Sequence, residues 1–219
     1  MDPNWNDIWQ IRTNVYSFFA TSLLKIVSGD PSTTAGLDPK FWQEFPIEPL
    51  NSHISQGIKD LTNCTKQLAN LPRDKAIERV AVEYTKLFIG PGTPAAPPWE
   101  TLYQEGATVL FGQPTFDIKA LLAKHGLKAS ADSHQLEDHL GIELFYIVAT
   151  SDGFTQTAPT DQQIQEQLDF LGTHPLSFIQ QLQAKAKAAS VVGYYPALLE
   201  LIWGFLLWDQ ELLKEYLRT

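Results

Sequence analysis

The stretch Asp74-Lys75-Ala76-Ile77-Glu78-Arg79-Val80-Ala81-Val82-Glu83-Tyr84-Thr85-Lys86-Leu87-Phe88-Ile89-Gly90 decides the fold class. Ile77, Val80, Ala81, Tyr84, Leu87 and Phe88 recur at the i, i+3, i+4, i+7 spacing of a buried helical stripe. Asp74 stands where an N-cap belongs, and Gly90 is where the helix should stop. The same periodicity recurs on both sides of this stretch, and no strand-length window alternates with period two. The chain therefore reads as all-α, one helical domain over residues 1–219, with no fixed-period repeat and no linker between two cores.

Towards the amino terminus, Trp5, Ile8, Trp9, Arg12, Val15, Phe19, Leu23 and Ile26 mark a long first helix between Pro3 and Gly29. Residues 29–36 read as a loop. A short helix over Pro39–Phe45 follows, then one from about Leu50 to Leu71. Towards the carboxyl terminus, Gly90–Gly106 breaks the pattern. Pro91, Pro94, Pro97 and Pro98 remove backbone donors there, while Trp99, Leu102 and Tyr103 are bulky and apolar. Thr115–Lys124 is a helix closed by Gly126, and Asp132 with Gln135 resembles a capping box opening a helix to about Thr150. Thr160 with Gln163 repeats that signal, His174-Pro175 opens the next helix, and Gly193 separates it from a last one carrying Leu198, Ile202, Phe205, Leu206, Asp209, Leu213 and Tyr216.

With 44% hydrophobic and 19% charged residues, the 219-residue chain is globular, and its net charge of -9 repels nucleic acid and favours a cationic partner. Cys64 alone can form neither an internal disulfide nor a cysteine-based metal site, which fits a reducing, cytoplasmic setting. Acids at Asp2 and Asp7 stand where a secretory signal would carry cations. Leu198–Trp208, the most apolar stretch, is interrupted by Glu200 and is far short of the roughly 20 residues that span a bilayer.

Catalytic templates are missing: there is no phosphate loop, dinucleotide fingerprint, nucleophile elbow or H-E-x-x-H. One cluster could carry chemistry, His134-Gln135-Leu136-Glu137-Asp138-His139 with Glu143. On a helix, His134 with Asp138, or His139 with Glu143, would share a face and could ligate a cation; an ordinary ion pair is the competing reading. Asp138 and His139 also adjoin the apolar line Leu136, Leu140, Leu144 and Ile147, so if half-buried they must be paired, holding a loop or offering a carboxylate to a basic ligand. Trp99 and its neighbours read either as a stiffened loop packed on the helices or as a rigid aromatic contact surface. Tyr84, Leu87 and Phe88 lead into that loop as core stripe or groove wall.

Tyr84-Thr85-Lys86-Leu87-Phe88-Ile89-Gly90-Pro91, Pro97-Pro98-Trp99-Glu100-Thr101-Leu102-Tyr103, Val109-Leu110-Phe111-Gly112 and Glu137-Asp138-His139, in that order, resemble the motifs of the TorD/DmsD family of redox-enzyme maturation chaperones. The Gly-Pro, Pro-Pro-Trp and Leu-Phe-Gly elements look most like the DmsD branch. Phe170-Leu171 with His174-Pro175-Leu176 and Phe178 extends the likeness. The family's Glu-Pro pair ahead of Asp-His is replaced by Gln135-Leu136.

The resemblance implies a helical bundle of the TorD/DmsD type with no catalysis and no cofactor of its own. It implies binding of the twin-arginine signal peptide on the apo-form of a dimethyl sulfoxide reductase-like molybdoenzyme subunit before Tat export, with the Tat translocase as a further partner. Peptide-binding residues carried over are Tyr84, Leu87, Phe88, Pro98, Trp99, Tyr103, Asp138 and His139. Neither nucleic-acid binding nor stable membrane insertion is expected, and monomer and homodimer stay open. The alternative is a metal- or nucleotide-dependent helical enzyme using His134, Asp138, His139 and Glu143. A regulatory scaffold binding a folded protein through the acidic surface is a third class.

Overall fold

A computed structural model describes residues 4–106, 109–129 and 135–218. The fold is all-α: α1 (Trp5–Leu24), α2 (Pro31–Thr34), α3 (Pro39–Gln43), α4 (Ser52–Leu68), α5 (Arg73–Tyr84), α6 (Gln113–Lys124), α7 (Leu140–Thr150), α8 (Asp161–Thr173), α9 (Pro175–Ala189) and α10 (Tyr194–Tyr216). Among the described residues the only β-type pairing is an isolated bridge between Trp99 and His139. No helix among the described residues is long and apolar enough to cross a membrane.

Contacts divide the chain into two compact units. The first comprises Met1–Leu24, Trp99–Phe178 and Asp209–Thr219; the second comprises Lys25–Pro98 and Ile179–Trp208.

In the first unit, α1 packs on α7, where a Cβ on Gly141 would come 2.6 Å from Leu24 Cγ and 3.2 Å from the Ala20 carbonyl. Trp9, Tyr16, Phe19, Leu144, Ile147, Ile164, Phe170, Leu171 and Leu213 fill the core. Arg12, on the apolar line of α1, is wholly buried there. Its Nε and Nη2 donate to Asp209 at 2.6 and 2.9 Å and its Nη1 to Ser151 Oγ at 2.6 Å, while Tyr16 OH donates to Asp209 at 2.7 Å. The guanidinium also lies 5.3 Å from the Tyr16 ring centre.

In the second unit, Ile54, Leu61, Leu68, Val80, Tyr84, Leu87, Phe88, Tyr195, Leu198, Ile202 and Phe205 are buried. The backbones of α4 and α10 come nearly into contact: a Cβ on Gly57 would lie 2.6 Å from the Leu201 nitrogen, and one on Gly204 2.5 Å from the Ile54 nitrogen. Glu83, on the stripe-bearing helix yet buried, closes the start of α10. Its two carboxylate oxygens accept the backbone N–H groups of Val192, Gly193, Tyr194 and Tyr195, and the Ser190 hydroxyl donates to it as well. A carboxylate at a helix N-terminus satisfies donors that have no intrahelical partner.

Several boundaries differ from the sequence expectation for local reasons. The first helix ends at Leu24, before Gly29. The expected loop at 29–36 contains α2, capped by the Asp30 side chain on the Ser32 N–H with Pro31 as its first residue. Asp74 is not a cap; α5 begins at Arg73 behind Pro72, and Asp74 lies in the first turn. Beyond Tyr84 the helix widens into a π turn over Thr85–Ile89, closed by Gly90 N–H on Thr85 O at 2.7 Å. Gly90 has φ +103°, and a Cβ there would sit 2.5 Å from the Gly92 carbonyl. Ala95 and Ala96 N–H groups then donate to the Lys86 and Leu87 carbonyls, fastening the proline loop to the turn. The capping box of Thr160 with Gln163 is present as read.

Candidate functional site

The candidate residues fall on both sides of the unit boundary, which lies between Pro98 and Trp99. Tyr84, Leu87, Phe88 and Pro98 belong to the second unit and are buried. Tyr84, Phe88 and Tyr195 form a triangle of edge-on rings with centres 5.2–5.4 Å apart, and burial pushes the Tyr84 hydroxyl up to about 12. Of the two readings open for these three residues, their burial supports the core stripe. The accessible surface beside them is a groove of about 540 Å³ lined by Ile26, Ala81, Val82, Thr85, Gly90 and Pro91 among others.

Trp99, Tyr103, Asp138 and His139 come together in the first unit. Trp99 and His139 form the isolated bridge, their rings edge-on with centres 6.0 Å apart. Asp138 is wholly buried and caps the 3-10 turn Glu100–Tyr103: its carbonyl accepts the Glu100 N–H at 2.9 Å and its Oδ2 accepts the Thr101 N–H at 2.9 Å. Among the described residues its Oδ1, buried, has no donor, and the buried indole nitrogen of half-buried Trp99 has no acceptor. Tyr103 is half-buried against Phe178, ring centres 5.4 Å apart, and burial raises its hydroxyl.

The expected helix from Asp132 is corrected. α7 begins at Leu140, and residues 135–138 are not helical. His139 is its N-cap, extended at φ −73° and ψ 128°, with Nδ1 accepting the Gly141 N–H at 3.0 Å. Asp138 and His139 are committed to the bridge, the cap and the 3-10 turn, so no shared helical face pairs His139 with Glu143. Asp132 and His134 lie outside the described residues. Among those residues no group of three His, Cys, Asp or Glu side chains is placed to hold a metal ion.

Glu100 and His174, which lie beyond the candidate set but within quoted motifs, complete the node together with Glu143, a candidate only under the enzyme alternative. Glu100, buried behind Trp99, accepts from Gln104 Nε2 at 3.2 Å and pairs with His174 Nδ1 at 2.8 Å, joining the Pro-Pro-Trp motif to His174-Pro175. Glu143, in the first turn of α7, is wholly buried, and among the described residues no donor meets either oxygen. Burial, and then the neighbouring carboxyls of Glu100 and Asp138, raise its pKa well above the ordinary carboxyl value, so Glu143 carries its own proton towards Glu100. Burial drives His139 the other way, down to about 3, so its ring is neutral.

That depression has a sign. Folded His139 stays neutral while the unfolded ring protonates below its ordinary 6.5, so the unfolded state binds more protons between pH 6.5 and 3, and stability falls as pH falls through that window. Glu143 works in the opposite sense, its contribution weakening as pH rises above 4.5. Between about pH 7 and about pH 5 the urea midpoint of the native protein should lose ground to that of His139→Asn, which keeps a cap acceptor and loses the titration while leaving the Glu143 contribution in place. Equal slopes would remove His139 from the acid response.

The 3-10 turn also seats an apolar surface. A Cβ on Gly112 would lie 2.5 Å from the Thr101 side chain, and Thr101 Oγ1 is 3.2 Å from Thr115 Oγ1, so the Leu-Phe-Gly motif is pressed on the turn that Asp138 caps. Val109, Leu110, Phe111 and Phe116 beside it are 58%, 47%, 62% and 58% exposed. Sequence reasoning quoted Leu110 and Phe111 only as motif members. Period alone cannot show that a short apolar run faces solvent.

The nitrate reductase delta subunit family model matches residues 51–184. The chain is 25% identical over 225 residues to the chaperone protein TorD of Psychrobacter sp. (strain PRwf-1), covering 96% of this chain and 95% of that one. It is 25% identical over 165 residues to the chaperone protein TorD of Vibrio cholerae serotype O1, 74% of each chain, and 24% identical over 215 residues to that of Shewanella piezotolerans, 94% of each.

Proposed function

Because the chain belongs to the nitrate reductase delta subunit family and is a redox-enzyme maturation chaperone of the TorD type, not an enzyme, we propose that its client contact is the twin-arginine signal peptide of a dimethyl sulfoxide reductase-like molybdoenzyme subunit. The peptide is held on the apo-subunit in the cytoplasm before Tat export, and the translocase receives it. The whole chain acts as one chaperone domain, through Trp99, Tyr103, Asp138 and His139 in the first unit, with Tyr84, Leu87, Phe88 and Pro98 shaping the second unit's part from within.

One observation carries this reading. In the first unit, exposed Val109, Leu110, Phe111 and Phe116 are seated on the same turn that buries the donor-less Asp138 Oδ1, in a chain of net charge -9. A twin-arginine signal is a cationic segment followed by an apolar one, and apolar surface beside carboxylates complements both parts.

Calorimetry with synthetic signal peptides tests it. Phe111→Ser should weaken binding by about 1–2 kcal/mol, roughly five- to thirtyfold, with an unchanged melting temperature because the ring is exposed. Asp138→Asn should weaken it by about 1.5–3 kcal/mol, and much less for a peptide whose arginine partner has been replaced. Native affinity in both variants, or no binding of any twin-arginine peptide, would overturn the reading.

A further inference from the structure

Away from the candidate residues, the second unit carries a groove of about 440 Å³ between α4, the end of α9 and the start of α10. One wall is α4, where Gln56, Asp60, Asn63 and Gln67 recur at i, i+4, i+7 and i+11 and so share a face. Gln183 and Lys187 of α9 and Glu200 of α10 also line it, and Cys64, Pro196 and Ala197 supply a buried apolar lining. Residues 190–193 complete the groove. Glu83 fastens them by accepting from the Ser190 hydroxyl and the Val192 and Gly193 N–H groups, so the groove is formed before anything enters it.

Gln183 is the informative residue. It is only 8% exposed, yet among the described residues its amide meets no hydrogen-bonding partner, and neither its oxygen nor its nitrogen is sealed from water. An amide so covered, on a residue that lines the groove, opens into that groove. Holding it there without a partner costs stability that a leucine of similar size would not cost. Two carboxylates are half-committed beside it. Asp60 Oδ2 accepts the Gln56 amide at 2.7 Å and Glu200 Oε1 pairs with His53 Nδ1 at 2.7 Å, and among the described residues no donor meets the second oxygen of either.

We propose that this groove binds an extended stretch of unfolded polypeptide carrying a basic residue, at a site separate from the signal-peptide contact and independent of that reading. Primary amides both donate and accept, as a peptide unit does, and those of Asn63, Gln67 and Gln183 have no protein partner among the described residues. Gln56 and Gln67 are eleven positions apart, about 16 Å along a helix, which matches about five residues of extended chain. A single extended chain reaches nine-tenths-covered Gln183 where a folded surface does not. The free oxygens of Asp60 and Glu200 select a cation, against one lining cation, Lys187, in a chain of net charge -9. Val191, 81% exposed and also in the lining, offers an apolar contact to a neighbouring side chain.

Fluorescence polarisation with the full-length protein and a labelled, capped peptide of glycine and serine with one central arginine tests this. Gln183→Leu should bind the probe on the order of tenfold more weakly with an unchanged or raised melting temperature, a pair of effects that a structural amide would not give. Asp60→Asn keeps an acceptor for Gln56. It should weaken the arginine probe roughly threefold and leave a probe with glutamine in place of arginine unchanged, which keeps the test intact if Gln183→Leu fails to fold. Phe111→Ser should bind the probe as the native protein does. Loss in Phe111→Ser would place the probe on the signal contact and overturn the separate site, and equal affinity for arginine amide alone would make this a site for small cations. No binding, or a Gln183→Leu protein that binds natively or melts lower, overturns the proposal and leaves the signal reading standing.

Discussion

Replacing Asp209 by alanine is expected to destabilise the protein by about 3–5 kcal/mol, because it strands a buried guanidinium. Arg12 and Asp209 are both fully buried and share two hydrogen bonds, and Tyr16 donates to the same carboxylate. Removing the carboxylate leaves Arg12 with Ser151 alone, plus the faces of Trp9 and Tyr16. Asp209→Asn preserves the volume but turns an amide N–H₂ towards donors, and should fall between the two. The instructive comparison is a double variant, Arg12→Met with Asp209→Leu, which removes both charges and should cost less than Asp209→Ala alone. Urea unfolding of the four proteins decides it. If Asp209→Ala lost under about 1 kcal/mol, the pair would have to be hydrated rather than buried.

Glu83→Ala should be comparably damaging in the second unit, by about 3–5 kcal/mol. Four backbone N–H groups, those of Val192, Gly193, Tyr194 and Tyr195, would lose the carboxylate that accepts them, Gly193 keeping only its bond to Ser190 Oγ at 2.8 Å, and unsatisfied buried donors cost about 1–3 kcal/mol each before relaxation. Glu83→Gln retains one carbonyl oxygen and should lose less, about 2–3 kcal/mol, since its amide group meets donors with donors. Acetate added to Glu83→Ala should restore part of the loss by re-entering the same nest of amides. An alanine variant of near-native stability would mean that the start of α10 is capped without Glu83.

These two residues also mark the limit of what the chain shows in one dimension. The 3.6-residue period read from Asp74–Gly90 and from the first helix holds, as do the stops at Gly90, Gly126 and Gly193, each left-handed with φ between +68° and +103°. The capping box of Thr160 with Gln163 holds because a cap is a local bond between residues three apart. Arg12 and Asp209 could each be placed on a buried helical line by spacing, but nothing in spacing pairs two residues 197 positions apart. The expected helix through Asp138 is corrected for the same reason in reverse. The local signal suggested a helix through Asp138, yet pairing with Trp99, Glu100 and Thr101 offered that backbone non-local bonds, and α7 waits until Leu140.

The sequence by itself determined the all-helical class, most of the helices and the order of the family motifs, since each depends on residues within a turn or two of one another. Tertiary structure alone decided that Tyr84, Leu87 and Phe88 are core, that Asp138 and His139 precede a helix rather than ride on one, and that Glu100, Asp138, Glu143 and His174 meet in one buried node. It also decided that Leu110 and Phe111 face solvent. The physical reason is burial: the removal of water that gives a carboxyl, an imidazole or an aromatic ring its chemistry is a property of everything packed around it, and most of that packing comes from residues remote in the chain.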